Sequence, residues 1–437
     1  MAFISDQSCE CLKSELDLFS VPPTQTSIEN GTWVEYHPLT NVGDDSPIEF
    51  DINGTGEDYI DLANTMLFVR AKIVNVDGTN IADADPVGPT NLWLHSIFSQ
   101  VDISLNGTQV TTSTNTYPYR AMIETLLSYG DDAKKSQLTS ELFYADQPGR
   151  MDVVDFGEAA RNSGLWARSR FTRGSRSVDM IGRIHADIFF QSRYLLNEVN
   201  VKIKLVRSTS TFSLIGANAF RVKIETAVMF VRKVKLAPSV FLAHAKALEN
   251  STAKYPIRRA VCKTITIPNT FRDINIEKLF SGQLPSRLVV GLVANAAYNG
   301  ANNRNPFNFA NFNLMEISVY TDGQQQYGMK PLSTDFTNAL YIRAYNTLFS
   351  GTGKVFKDEG NGISRTAFSE GNALYAFDLS PDLAEEDHFN LQKQGSVRLV
   401  LKFRQALNEN VSVIAYAEFE NVLEIDRNRN VVYDFSV

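Results

Sequence analysis

Ile48-Glu49-Phe50-Asp51-Ile52 alternates apolar and charged residues without a break and then meets Asn53-Gly54. Val101-Asp102-Ile103-Ser104-Leu105 alternates apolar and polar residues in the same way and meets Asn106-Gly107. Period-two alternation puts every apolar side chain on one face of a strand, and Asn-Gly suits the two positive-φ positions of a tight hairpin turn. The pattern recurs along most of the chain. Residues 33–37, 66–76, 180–190, 200–206 and 220–236 read as strands in one half. Residues 261–267, 287–293, 314–321, 397–403 and 411–420 read as strands in the other. A chain patterned this way is all-β.

Two segments break the rhythm. Within residues 119–144, Met122, Ile123, Leu126 and Leu127, then Leu138 and Leu142, recur at helical spacing on either side of Gly130. This predicts two short helices, the first ended by Gly130 and the second opened by Asp131 and Asp132. Residues 237–257 predict another helix, opened by Pro238 and closed off by Pro256, and they mark the domain boundary. Residues 1–30 read as an arm: Leu12, Leu16 and Phe19 lie at helical spacing before Val21-Pro22-Pro23 stops the run. Either it docks on a neighbouring subunit or it is an unanchored terminus. The Asn-rich stretch 295–313 reads as a long exposed loop.

The halves resemble each other. Ala186-Asp187-Ile188, Tyr194-Leu195-Leu196-Asn197 and Val201-Lys202-Ile203-Lys204-Leu205 follow in order in the first half. Phe377-Asp378-Leu379, Phe389-Asn390-Leu391 and Val397-Arg398-Leu399-Val400-Leu401 follow in the second. Each series precedes a long alternating strand. The expected architecture is therefore two tandem eight-stranded jelly rolls with short helical insertions. An arm spans 1–30, a first roll 31–236 (helical insertion 119–144), a linker helix 237–257 and a second roll 258–437. At about 150 residues per domain, 437 residues suffice for two such cores.

Charge narrows the function classes. With 42 Lys+Arg against 49 Asp+Glu the net charge is −7. That argues against a protein that coats a genome, which needs a cationic surplus, and predicts no strong direct binding to nucleic acid. The opening residues carry no basic and apolar leader, and the longest apolar run, 288–294, is far short of a membrane span. The expectation is synthesis in the cytosol. Three cysteines, Cys9, Cys11 and Cys262, make no disulfide framework. Five Asn-x-Ser/Thr sites begin at Asn30, Asn53, Asn106, Asn250 and Asn410; three read Asn-Gly-Thr, and they are read as turns.

Signals of chemistry are sparse. His37, His95, His185, His244 and His388 are scattered, with no pair at ligand spacing. No zinc pattern, nucleophile elbow or phosphate-binding glycine loop occurs. No catalytic, cofactor or metal residue is therefore assigned. Asp44, Asp45, Glu57, Asp58 and Asp61 form an irregular acidic cluster, either a solvated loop or a hard-cation site. The segment 161–176 holds Arg161, Arg168, Arg170, Arg173 and Arg176 without an acidic residue, and Trp166 and Phe171 lie among them. It reads either as a basic contact patch or as a loop whose arginines pair elsewhere.

The stretch Tyr117-Pro118-Tyr119-Arg120-Ala121-Met122-Ile123-Glu124-Thr125-Leu126-Leu127-Ser128-Tyr129-Gly130 resembles a hallmark of the major capsid proteins of Polinton/Maverick elements and adintoviruses. Ile60-Asp61-Leu62-Ala63-Asn64-Thr65, Gln191-Ser192-Arg193-Tyr194-Leu195-Leu196-Asn197, Leu374-Tyr375-Ala376-Phe377-Asp378-Leu379 and Glu424-Ile425-Asp426-Arg427-Asn428-Arg429-Asn430 are similar to the same family. The resemblance spans about residues 60 to 430, leaving the arm unmatched. It implies a double jelly-roll fold, a homotrimeric pseudo-hexagonal capsomer and a place in the shell of an icosahedral double-stranded DNA virus. It also implies neighbouring capsomers, penton and minor capsid proteins as partners. In such a trimer Trp166, Phe171, Phe307, Phe309 and Phe312 would anchor the interface. Two other classes fit two β-sandwiches. A lectin-like carbohydrate-binding protein predicts a monomer or dimer and sugar-dependent melting. A glycan-cleaving enzyme predicts two carboxylates in a cleft at the domain junction.

Overall fold

The computed structural model describes residues 11, 13–43, 45–54, 56–156, 161–326, 330–383 and 388–433. Sixteen strands carry the architecture. In the first half they are β1 (Ile28–Tyr36), β2 (Ile48–Ile52), β3 (Tyr59–Asn75), β4 (Phe98–Leu105), β5 (Thr108–Gln109), β6 (Val178–Gly182), β7 (Val201–Arg207) and β8 (Phe220–Leu236). In the second they are β9 (Ala253–Ile267), β10 (Asp273–Gln283), β11 (Arg287–Ala294), β12 (Leu314–Thr321), β13 (Gln324–Gln325), β14 (Leu374–Asp378), β15 (Gln394–Phe403) and β16 (Val411–Ile425).

The first half pairs as β1-β8-β3-β6 in one sheet and β2-β7-β4-β5 in the other, all antiparallel. The second pairs as β9-β16-β11-β14 and β10-β15-β12-β13. Adding eight to each strand number of the first half reproduces the second. In both halves first and last strands are neighbours, and successive strands switch sheets except at the hairpins β4–β5 and β12–β13, which is jelly-roll topology. The fold is a double jelly roll.

Local sequence explains the pairing. In β2, Ile48, Phe50 and Ile52 are buried while Glu49 and Asp51 are half-exposed. In β3, Leu67, Val69, Ala71 and Ile73 face the same core. The β4–β5 hairpin pairs Leu105 with Thr108, and Asn106 and Gly107 take φ of 45° and 83°, as the tight turn requires. Asn30-Gly31-Thr32, read as a turn, instead lies inside β1 beside a register shift.

The halves do not have private cores. Helix α1 (Tyr117–Ser128) belongs to the chain of the first roll. Its Ala121, Met122, Ile123, Leu126 and Leu127 nevertheless pack in the core of the second. Conversely, Tyr255 and Ile257 of β9 and Leu423 and Ile425 of β16 pack in the core of the first. Helix α2 (Asp131–Lys135) follows with Gly130 as its N-cap, at φ −76°, so Gly130 opens the second helix rather than closing the first. Helix α3 (Ser163–Thr172) stands where the arginine segment was read as a loop. Helix α4 (Pro238–Ala247) is shorter than expected, because β9 begins at Ala253 and Pro256 lies within that strand.

Among the described residues of 9–19 the expected helix is not present. A single 3₁₀ turn spans Ser14–Leu16, and Leu16 and Phe19 are exposed; Leu12 lies outside the described residues. The stretch 295–313 is not an exposed loop. Asn305 is fully buried, with its backbone N–H on Asp152 and its amide donating to Asp146 at 2.9 Å.

Candidate functional site

The polar stripe of α1 lies across the seam between the rolls. Tyr117, Arg120 and Glu124 recur at 3–4 spacing on the helix, so they share a face. Pro118 in the first turn costs no intrahelical hydrogen bond there. All three face buried partners. Arg120 donates to Glu124 Oε1 at 2.9 Å and to Asp187 Oδ1 at 2.6 Å. Asp187 Oδ1 also accepts the backbone N–H of Ala260, on β9. Glu124 Oε2 lies 2.6 Å from His185 Nδ1, and its Oε1 lies 3.1 Å from the hydroxyl of Tyr416, on β16. That hydroxyl is 3.0 Å from Glu418, which pairs with Arg287 of β11. One connected network therefore joins the first roll, α1 and the second roll.

Its electrostatics follow from burial and pairing. Burial would raise the Glu124 carboxyl, but the Arg120 charge and the His185 hydrogen bond outweigh it and hold it at about 2. Burial works against the Arg120 charge, and Asp187 and Glu124 overcome it, leaving the guanidinium firmly protonated. The Tyr117 hydroxyl is pushed up by burial.

Two scattered histidines meet at the edge of this network. His95 and His185 are 90 residues apart in sequence (185 − 95), yet their ring centroids lie 4.6 Å apart. His95 is held by the Tyr117 hydroxyl at 2.8 Å from Nδ1, and its Nε2 stands 3.4 Å from Glu141 Oε2. Among the described residues, His95, Glu141 and His185 are the group whose ligand atoms lie close enough for a metal ion. No spacing in the sequence signals this convergence. The acidic residues do not gather in the same way: Asp45 pairs with Arg221, and Asp61 binds Asn64 within β3. Asp44 lies outside the described residues.

The expected contact residues divide. Phe307 and Phe309 are buried in the second core, edge-on to Tyr119 at 5.7 and 6.4 Å. They anchor the 295–313 segment inside the protomer and cannot face a neighbouring subunit, which corrects the expectation for both. Phe312 is half-buried against the same core. Arg168 is likewise corrected. It is fully buried, pairs with Asp146 at 2.7 Å and donates to the Pro89 carbonyl at 2.8 Å. The remaining arginines stay available on and beside α3. Arg161 and Arg170 both lie over the Trp166 ring, their guanidinium carbons 4.1 and 5.1 Å from its centroid. Arg170, Phe171 and Arg176 are exposed, and Arg173 is half-buried.

Lys134, on α2, ties the helical insertion to the second half. Its ammonium nitrogen donates to the carbonyls of Leu126 at 2.7 Å and Asn361 at 2.6 Å. Burial, aided by Lys354, pushes its pKa down to about 7 from 10.5. The folded chain therefore binds fewer protons than the unfolded chain between those values. Stability from this group is full above pH 10.5 and is lost as pH falls through 7. Between pH 7.5 and 9 the wild-type chain should gain about 1–2 kcal/mol relative to Lys134→Met. Urea midpoints at the two pH values test this, and parallel pH slopes in both proteins would refute it.

No family model matches the chain. Among curated proteins, the uncharacterized protein F54H12.2 of Caenorhabditis elegans is 26% identical over 430 residues, covering 95% of this chain and 99% of that one. Among solved structures, a chain of the Sputnik virophage superposes with a TM-score of 0.67 at 13% identity, covering 100% of this chain and 94% of its own. The Faustovirus major capsid protein gives 0.57 at 9% identity, covering 94% and 92%. The mavirus major capsid protein gives 0.52 at 12% identity, covering 100% and 97%. At these identities the likeness is one of fold, and it extends over both jelly rolls of the chain.

Proposed function

We propose that this chain is a viral major capsid protein, acting as a homotrimeric, pseudo-hexagonal capsomer in an icosahedral shell around double-stranded DNA. The observation that carries the reading is the strand order repeated twice in one chain, in a fold shared along its length with solved capsid proteins. Three chains with two like rolls each present six like units around one axis, and such a unit tiles a hexagonal lattice. The seam supports this use: interpenetrating cores and the Arg120 network make the two rolls one body, so the unit keeps its shape under lattice contacts.

The stretch 117–130 favours the Polinton/Maverick and adintovirus lineage within that class. The same reading places the chain in the virion shell after synthesis in the host cytosol. Its partners are neighbouring capsomers and penton and minor capsid proteins, and the net charge of −7 disfavours a strong hold on the genome.

Light-scattering mass of the purified chain tests the reading. The trimer is expected at 3 × 48.8, about 146 kDa, and the same peak should show hexagonal discs in negative stain. A 48.8 kDa monomer across salt and concentration would overturn it.

A further inference from the structure

We propose that His95, Glu141 and His185 form a binding site for one divalent transition-metal ion of the zinc class, buried in the first roll beside the seam. The proposal does not depend on the capsid reading. The three side chains offer ligand atoms all within 4.8 Å of one another. Two imidazoles and a carboxylate suit Zn²⁺, which binds them at about 2.0–2.2 Å in tetrahedral geometry. Ligand atoms around such an ion stand about 3.3–3.6 Å apart. His95 Nε2 and Glu141 Oε2 stand 3.4 Å apart.

Those two atoms supply an independent observation. Both are buried and neither makes a hydrogen bond; the ion-pair contact between them is 3.4 Å long. His95 is wholly enclosed, and the Glu141 side chain is 10% exposed. Facing polar atoms left this way are costly, and a cation between them satisfies both. A charge-assisted hydrogen bond would have closed the pair to about 2.8 Å.

The surroundings are built for ligation. Tyr117 holds His95 through Nδ1, which leaves Nε2 directed at Glu141. Glu124 holds Nδ1 of His185, a carboxylate–histidine pairing of the kind that orients metal-binding imidazoles, and leaves its other nitrogen for the ion. Gly182, at the end of β6, lies against the Glu141 carboxylate, and any side chain there would occupy its place. The ion would stitch together three segments of the first roll: the helical turn Trp93–Ser96, the 3₁₀ turn Gln137–Glu141 and the segment that follows β6.

The test uses the full chain, stripped with EDTA, equilibrated with ZnCl₂, desalted and analysed for metal. One zinc per chain is expected, with a rise in melting temperature that EDTA reverses. Cobalt(II) in its place should give the visible absorption of a tetrahedral N/O site. The double variant Glu141→Gln, His185→Gln should retain less than about a tenth of the metal, whereas His388→Gln, at an exposed histidine, should retain all of it. The proposal fails if the stripped wild-type chain takes up no zinc. It fails equally if the double variant binds as much as wild type. Should the double variant not fold, the wild-type cobalt spectrum decides: an octahedral, surface-type spectrum overturns the site.

Discussion

Arg120→Met should destabilise the chain by about 3–5 kcal/mol, far more than an average substitution. The reason is what the change leaves behind. Arg120 bridges Glu124 at 2.9 Å and Asp187 at 2.6 Å, and all three side chains are nearly enclosed. Without the guanidinium, two carboxylates remain buried near one another with no cation between them. Lysine should rescue little, since one compact ammonium cannot reach both acids in the forked geometry of arginine. The triple variant Arg120→Met, Glu124→Gln, Asp187→Asn should recover much of the loss, because the stranded charges are gone. Chemical denaturation measures the difference. Because the network bridges the rolls, the Arg120→Met transition should also broaden or split in two. A single, unshifted transition would show that the apolar contacts of α1 alone hold the seam.

The roll topology was legible because burial on one face forces period two. Ile48, Phe50 and Ile52 announce a strand with one buried face, and the structure buries all three. Asn106-Gly107 announces a turn because few other residues adopt two successive positive φ values. Helix α1 was legible for the same kind of reason, its apolar residues falling on one stripe. Helix α3 was not. Its residues Leu165 and Trp166 make no stripe, and its buried inner face includes Arg168, whose charge reads as exposure until Asp146 is found beside it. The 295–313 segment was misread for a related reason. Asparagine-rich composition suggests solvent, but here Asn305 supplies hydrogen bonds that a strand or helix would otherwise supply. The alternation of Phe307 and Phe309 was the available signal that this segment faces inward.

The seam was half legible. Tyr117, Arg120 and Glu124 stand at one helical face in the sequence, but their partners outside the helix come from residues 22 to 292 positions away. Sequence spacing carries information only within an element. His95 and His185 were therefore read as isolated, although folding places their rings 4.6 Å apart.

Trp166→Ala combined with Phe171→Ala should weaken self-association by about 30-fold or more, equivalent to about 2 kcal/mol, with little effect on the fold. A closed threefold interface is heterologous, so one face must complement a different face of the same chain. The exposed surface around α3 suits one side of it. Trp166 is held by Arg161 and Arg170, which fixes its ring before any partner arrives, and Phe171 stands exposed beside Tyr144 at 5.8 Å. Rigid aromatics flanked by arginine lose little conformational entropy on docking. The complementary face should be acidic, in keeping with a net charge of −7 around this local cationic surface. Arg170→Glu with Arg176→Glu separates charge from packing. It should slow assembly most at low salt, where the field acts furthest, and much less near 1 M salt. Arg168→Glu should behave otherwise, costing stability rather than association, since Arg168 never reaches the surface. Light-scattering mass across a dilution series reads the first effect and denaturation the second. An unchanged mass for Trp166→Ala, Phe171→Ala at every dilution would move the interface away from α3.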